Sequence, residues 1–233
     1  MNLAIEPVVA ADTDKLPLRP DVDWTLTRVR DRALDMHIAA WVREGDRVLD
    51  LGCGEGDLLD RLKKDKSIRE MGVEIEGHAV TEAIARGLSV VHDDLGDTLS
   101  CQDDYAFDVV ILNQVITTIE DPVDILEQSL RVGHRVVVTF PNFAHWKNPF
   151  HIFLFGRLPV NPSLPYQWFD TPNIRLVTVK DFRDLCRDRS FRIEGEEFVA
   201  MEMDGRVRTI KVYPNMRASS ALFLLSGGRR LQN

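Results

Sequence analysis

Residues 48–58 read Val48-Leu49-Asp50-Leu51-Gly52-Cys53-Gly54-Glu55-Gly56-Asp57-Leu58: an apolar run, an acid, then glycine at every second position. The apolar run is a strand with Asp50 at its end, and the glycines form a turn in which no Cβ blocks an approaching ligand. A dinucleotide-binding turn needs its third glycine one position later, where this chain has Asp57. A P-loop would carry Gly-Lys-Ser/Thr, and none follows here. The acid directly ahead of the glycines repels a pyrophosphate at close range and suits a ligand with a positive ammonium. Cys53 reads as a small residue packed in a tight loop rather than as a nucleophile.

Outward from this turn the chain alternates between periods. Leu26, Val29, Ala33, Met36, Ala40 and Trp41 give residues 23–44 a helical pattern that Gly45 ends. Strands follow at 47–51, 70–75, 89–92, 107–113 and 135–140, with helices at 57–65, 78–86 and 122–131 between them, the last opened by Pro122. A helix at 179–189 and strands near 191–201 and 219–226 complete the pattern. Such alternation predicts an α/β fold: a seven-stranded, mostly parallel, Rossmann-like sheet with helices on both faces. Residues 18–233 read as one domain, and 1–17, with Pro7 and Pro17 among small and acidic residues, as a mobile extension.

Beyond the glycines, a second acid is expected at the end of the second strand to hold ribose hydroxyls. Glu74 stands 24 positions after Asp50, and a carboxylate can accept from both cis hydroxyls at once. Strand alternation points Glu76 elsewhere. With these residues in place, the 48–58 run resembles motif I of the class I S-adenosylmethionine (SAM) methyltransferases. The resemblance implies SAM or S-adenosylhomocysteine on Asp50, Gly52, Gly54, Gly56, Glu74 and its neighbour Ile75. It further implies an acid accepting from the adenine amino group in His92-Asp93-Asp94-Leu95, with Asp94 and Leu95 the better register and Asp93 one residue off. Asn113 and Gln114, ending the fourth strand, stand where motif IV would place the methionine part of the ligand beside an acceptor. No Asn/Asp-Pro-Pro-Tyr/Phe run is present, which disfavours amino-methyltransferases of nucleic acids.

A formal charge of −8 argues against a protein that grips phosphate backbones. Cys53, Cys101 and Cys186 are odd in number and widely spaced, fitting neither a disulfide framework nor a zinc site, so no metal is expected and a reducing cytoplasm is. No signal peptide or membrane-spanning run is visible.

Residues 143–177 break the alternation. Eight of the 18 aromatic residues lie between Phe143 and Phe169, and six of the 11 prolines between Pro141 and Pro172, too apolar for a disordered linker and too proline-rich for a regular element. An insertion leaving the carboxyl end of a central strand reads as a lid or a binding surface, or as a loop that seals the core. His145 and His151 within it are candidate bases, each more readily read as a packing residue, and no catalytic residue is assigned.

This later half carries a narrower resemblance. Phe140-Pro141-Asn142-Phe143-Ala144-His145-Trp146, Gly156-Arg157-Leu158-Pro159, Leu164-Pro165-Tyr166-Gln167-Trp168-Phe169-Asp170-Thr171-Pro172-Asn173-Ile174 and Asp181-Phe182 resemble the MetW family of methionine biosynthesis proteins, from about Leu18 to Phe198. Arg175 stands where that family commonly has histidine. The resemblance implies a methyltransferase fold that serves as required partner of the homoserine O-acyltransferase MetX, with Phe143, Trp146, Tyr166, Trp168 and Asn173 as partner or lid residues. Its alternative is a SAM-dependent methyltransferase acting on a small molecule.

Overall fold

The computed structural model describes residues 24–201 and 206–227; the expected extension at 1–17 and Asp23, where the opening helix was expected to start, lie outside them. The chain runs α1 (Trp24–Trp41), β1 (Arg47–Leu51), α2 (Asp57–Lys66), β2 (Arg69–Glu74), α3 (Gly77–Ala85), β3 (Val90–His92), α4 (Leu95–Ser100), β4 (Phe107–Asn113) and α5 (Pro122–Val132). Then come β5 (Gly133–Pro141), α6 (Lys147–Phe155), α7 (Val179–Asp188), β6 (Arg192–Met201), β7 (Val207–Thr209), α8 (Pro214–Arg217) and β8 (Ser220–Ser226). The sheet order is β3-β2-β1-β4-β5-β8-β6-β7, with β1 to β5 mutually parallel and β8 antiparallel to both β5 and β6.

The sheet therefore has eight described strands rather than the expected seven. The addition, β7, is three residues pairing antiparallel with β6 at the sheet's edge. A three-residue strand that buries little has no period-2 signal to read. The other departures are α4, α6 and α8. In α6, Pro149 falls in the first turn, where the missing N–H has no intrahelical acceptor to lose, so proline density did not forbid a helix.

Two apolar layers hold the sheet, separated by the alternation of side chains along each strand. Leu49, Leu51, Val110 and Leu112 face α5 and α7 through Leu126, Leu130 and Phe182. Val48, Val109 and Ile111 face α1 and α2 through Leu34, Ile38, Leu59 and Leu62. Asp50 has the parity of Val48, so it leaves the strand on the α1 side.

Candidate functional site

Strand order reverses between β1 and β4, because β1 pairs with β2 on one edge and β4 on the other. The crevice beyond the carboxyl ends at such a reversal is where open α/β sheets bind ligands. Asp50 sits there, its backbone in register with Gly72 of β2 and Ile111 of β4. Asp50 is 2% exposed, and its Oδ1 has no hydrogen-bond partner among the described residues. Burial, then the nearby carboxylates of Asp35 and Glu74, push its pKa up to about 8. A buried carboxyl among like charges, with one oxygen unpartnered among the described residues, is an arrangement that a cation would relieve.

Asp35 is the member of this cluster that the sequence reading missed. It is buried on α1, and its pKa rises to about 6 through burial, held back by Arg61 at 3.3 Å. Asn113 Nδ2 donates to Asp35 Oδ1 at 3.4 Å, while Asn113 Oδ1 accepts from the Thr139 hydroxyl at 2.6 Å. Gln114 has a left-handed backbone, φ +62°, and its Nε2 donates to Asp31 Oδ1 at 2.9 Å. A non-glycine residue in that region is a strained position of the kind that collects at ligand sites. Asn113 and Gln114 thus fasten α1 over the carboxyl end of β4. The signal in the sequence was an acid between Leu34 and Ile38, inside the apolar stripe of an amphipathic helix.

Glu74 closes the other side. Its Oε1 accepts from the N–H groups of Ile75 and Glu76, both at 2.9 Å, and its Oε2 accepts from Gly54 N–H at 2.8 Å. The carboxylate therefore positions the glycine turn as well as ending β2. It keeps acceptor capacity, since two carboxylate oxygens offer about four lone-pair sites. Beside it the Ile75 side chain is 60% exposed, an apolar face at the mouth of the crevice.

The three glycines all have positive φ but serve different needs. A Cβ on Gly56 would run into the Leu88 side chain and approach Ala83 Cβ to 3.3 Å, so this glycine is set by packing. A Cβ on Gly54 would meet nothing within 4 Å and would project into open space in the turn that Glu74 holds. Cys53 is half-buried; its thiol lies where a Cβ on Gly72 would fall, and burial first, then Asp50 and Glu74, push its pKa up to about 12. That thiol is packing, not a nucleophile.

After β3, Asp93 uses both oxygens locally, accepting from Asp94 N–H at 2.9 Å and the Thr98 hydroxyl at 3.0 Å. Asp94 caps α4 with Oδ1, which accepts from Gly96 N–H at 2.7 Å, and its side chain is exposed with Leu95 half-buried next to it. His145 and His151 have no contact with the carboxylate cluster; His151 Nδ1 lies 3.1 Å from Arg157 O.

The 143–177 segment is tied down at its base. Phe143 N–H donates to Val177 O at 3.0 Å, and Asn148 Nδ2 donates to Phe143 O at 3.0 Å. The Thr117 hydroxyl donates to Asn173 Oδ1 at 2.6 Å, and Thr117 O accepts from Ile174 and Arg175 N–H. The Arg175 guanidinium donates to the carbonyls of Ile119 and Glu120, which gives the arginine a structural part in this chain. Only Asn148 of α6 is buried, whereas Phe150, Phe153, Leu154 and Phe155 are exposed, Phe153 by 83%. Trp168 is 74% exposed, with Phe169, Ile174 and Leu176 also in solvent, while Phe143 and Tyr166 are half-buried. A loop that sealed the core would turn these side chains inward. These side chains instead leave apolar surface in solvent.

Sheet order, switch-point crevice and glycine turn define a class I methyltransferase-like protein. The magnesium protoporphyrin IX methyltransferase of Synechocystis PCC 6803, solved with bound SAH, matches over 91% of this chain and 90% of its own at TM-score 0.64 and 16% identity. A SAM-dependent methyltransferase of Archaeoglobus fulgidus matches over 86% and 94%, at TM-score 0.63 and 16% identity. Within that fold the chain belongs to the family described as methionine biosynthesis protein MetW, whose family model matches residues 32–225. It is 33% identical over 220 residues to the bifunctional methionine biosynthesis protein MetXA/MetW of Rhodopirellula baltica, covering 91% of this chain and 34% of that one. The chain thus spans about a third of that relative's length. No helix among the described residues is long and apolar enough to cross a membrane.

Proposed function

We propose that this chain binds SAM or S-adenosylhomocysteine and acts in methionine biosynthesis as the required partner and activator of a homoserine O-acyltransferase. The observation that carries the partnership is the Rhodopirellula relative, whose name joins MetXA and MetW in one chain. Joining two modules makes their meeting intramolecular, which favours pairs that work together. The exposed aromatic face of 143–177 supplies the kind of surface such a meeting needs, since Trp and Tyr anchors dominate binding energy at interfaces.

The residues of the crevice fit the ligand. Asp50, a buried carboxyl with an unpartnered oxygen, would take the ammonium; Glu74 would accept from the ribose hydroxyls; Gly54 leaves room for close approach. Ile75, Asp94 and Leu95 would border the adenine, and Gly52, Gly56 and Asn113 would frame the methionine part. SAM brings an activated sulfonium, so transfer from it needs alignment and desolvation more than a strong base.

A second reading, methylation of an unidentified small molecule under an aromatic lid, is favoured by the direct tie from Asn173 to Thr117, four residues after Asn113. Co-expressing the chain with a homoserine O-acyltransferase, then assaying acylation and methylation in parallel, separates the two. Activation of acylation without methyl transfer supports the first, and methyl transfer with no effect on acylation overturns it.

Two binding predictions arise here. Glu74→Ala should weaken SAM by roughly 10- to 150-fold in calorimetry, the cost of about 1.5–3 kcal/mol for losing a charged hydrogen-bond partner. Unchanged affinity would remove Glu74 from the site. Gly54→Ala and Gly56→Ala should separate: the first loses SAM affinity with a small drop in melting temperature, the second drops mainly in melting temperature through the Leu88 clash. Equal, mild effects from both would make the turn structural only.

A further inference from the structure

Ile75 and Glu76 form the whole connection between β2 and α3, and the peptide unit joining them is held at both ends. Its N–H, that of Glu76, donates to Glu74 Oε1 at 2.9 Å. Its carbonyl, that of Ile75, accepts from His92 Nε2 at 2.8 Å. A carbonyl can only accept, so the ring carries a proton on Nε2. His92 reaches this carbonyl because it ends β3 beside Glu74, its partner in the parallel register, where Asp93 N–H donates to Glu74 O at 3.2 Å. On the other side the ring rests on the first residue of α3: a Cβ on Gly77 would lie 3.5 Å from His92 Cε1. The imidazole therefore crosses the end of β2, from β3 to the start of α3.

A peptide plane has a soft dihedral on either side, so it turns as a unit when one end is released. Freeing the Ile75 carbonyl lets the plane carry Glu76 N–H away from Glu74 Oε1. The Glu74 carboxylate then loses one of the three backbone donors that fix it, the others being Ile75 N–H and Gly54 N–H. Folding gains little from the His92 bond. The side chain is exposed, and water replaces a neutral partner at small net cost. What the bond supplies is orientation of the acid at the end of β2.

We propose that His92 is a positioning residue for the nucleoside end of the crevice ligand: through the Ile75–Glu76 peptide it aims the Glu74 carboxylate at the ribose hydroxyls. It does so without touching the ligand. The inference rests on the reading of the crevice as a SAM or S-adenosylhomocysteine site.

The test is calorimetry on the full chain with two probes, S-adenosylhomocysteine and 5′-methylthioadenosine, which keeps the nucleoside and lacks the amino-acid end. His92→Gln and His92→Phe are compared with the parent. The glutamine amide supplies an N–H in place of Nε2–H, whereas phenylalanine keeps a flat ring and has no donor. His92→Phe should weaken both probes by the same factor, roughly 3- to 10-fold, as loss of a neutral hydrogen bond predicts. His92→Gln should stay within about twofold of the parent. In a Glu74→Ala background the His92→Phe loss should shrink to about twofold or less, because the histidine acts through that carboxylate. Melting temperatures of both single variants should match the parent's. Binding of neither probe by the intact chain overturns the crevice reading and this inference with it. Normal binding by His92→Phe overturns the positioning role alone, and so does a loss that persists undiminished without Glu74. Affinity kept by phenylalanine and lost by glutamine would put the ring on the base itself and overturn the indirect role. Equal losses in both variants with a lower melting temperature would make the histidine structural and overturn it too.

Discussion

Asp50→Asn should remove SAM binding and stabilise the protein at the same time. The carboxyl is buried with an unpartnered oxygen beside Asp35 and Glu74, so ionising it without a ligand is costly. Its pKa, raised to about 8 against an ordinary value near 3.8, means the folded chain holds a proton that the unfolded chain releases between those limits. Stability from this group is therefore full below the ordinary value and lost as pH rises through about 8. Asparagine has no such loss. The variant should melt above the parent at pH 8–9, and a gain of about 1 kcal/mol corresponds to about 2–4 °C for a chain of this size. The margin should shrink at pH 5. A cation in the crevice reverses the balance, because binding it expels the proton, so SAM affinity of the intact chain should rise between pH 6 and pH 8. Removing the buried charge proposed to take the ammonium should cost about 100-fold or more in affinity. Melting curves at two pH values and calorimetry on one variant check both halves. A variant that binds SAM normally would take Asp50 out of the ligand's reach.

Trp168→Ala separates three accounts of the aromatic segment. If 143–177 is the acyltransferase contact, the variant should lose co-purification with that enzyme by on the order of 30-fold, since truncating a central Trp can cost about 2 kcal/mol. SAM affinity and melting temperature should stay close to those of the parent, because the side chain is already in solvent. A lid would show the opposite, with ligand binding reduced and partner binding kept. A core-sealing loop would lower melting temperature and every binding together. Trp146→Ala, where the ring is also exposed, repeats the comparison at the other end of the segment. Normal partner binding by both variants would overturn the interface.

The crevice was legible wherever chemistry and local geometry coincide. Asp50 and the glycines declare themselves because the left-handed positions of the turn are unfavourable for nearly any other residue. Glu74 follows from its place at the end of the second strand, 24 positions after Asp50, and from the residue type that hydroxyl recognition needs. Asp35 and Asp31 were hidden, because which face of α1 meets β4 is a tertiary fact, and an acid on a helix usually reads as solvated. The Glu74 bond to Gly54 was hidden for the same reason. β7 and α4 were too short for a period, and Gly96 within α4 lowers a helical signal that the Asp94 cap restores. In α6 the proline density of the segment misled, since the cost of Pro149 depends on its position and not on the number of prolines around it.

The bond from Phe143 N–H to Val177 O has a consequence for how this protein can vary. With Trp146 N–H on Met216 O and Asn173, Ile174 and Arg175 on Thr117, it anchors both ends of the segment. The stretch between them can change in length and side chains while β5, β8 and the crevice keep their register. Closing a longer loop costs little more entropy than closing a shorter one. An evolving chain can therefore exchange the face this stretch shows while keeping the scaffold that anchors it, and an engineer who grafts that face onto another methyltransferase-fold protein has to carry the Thr117 and Met216 anchors with it.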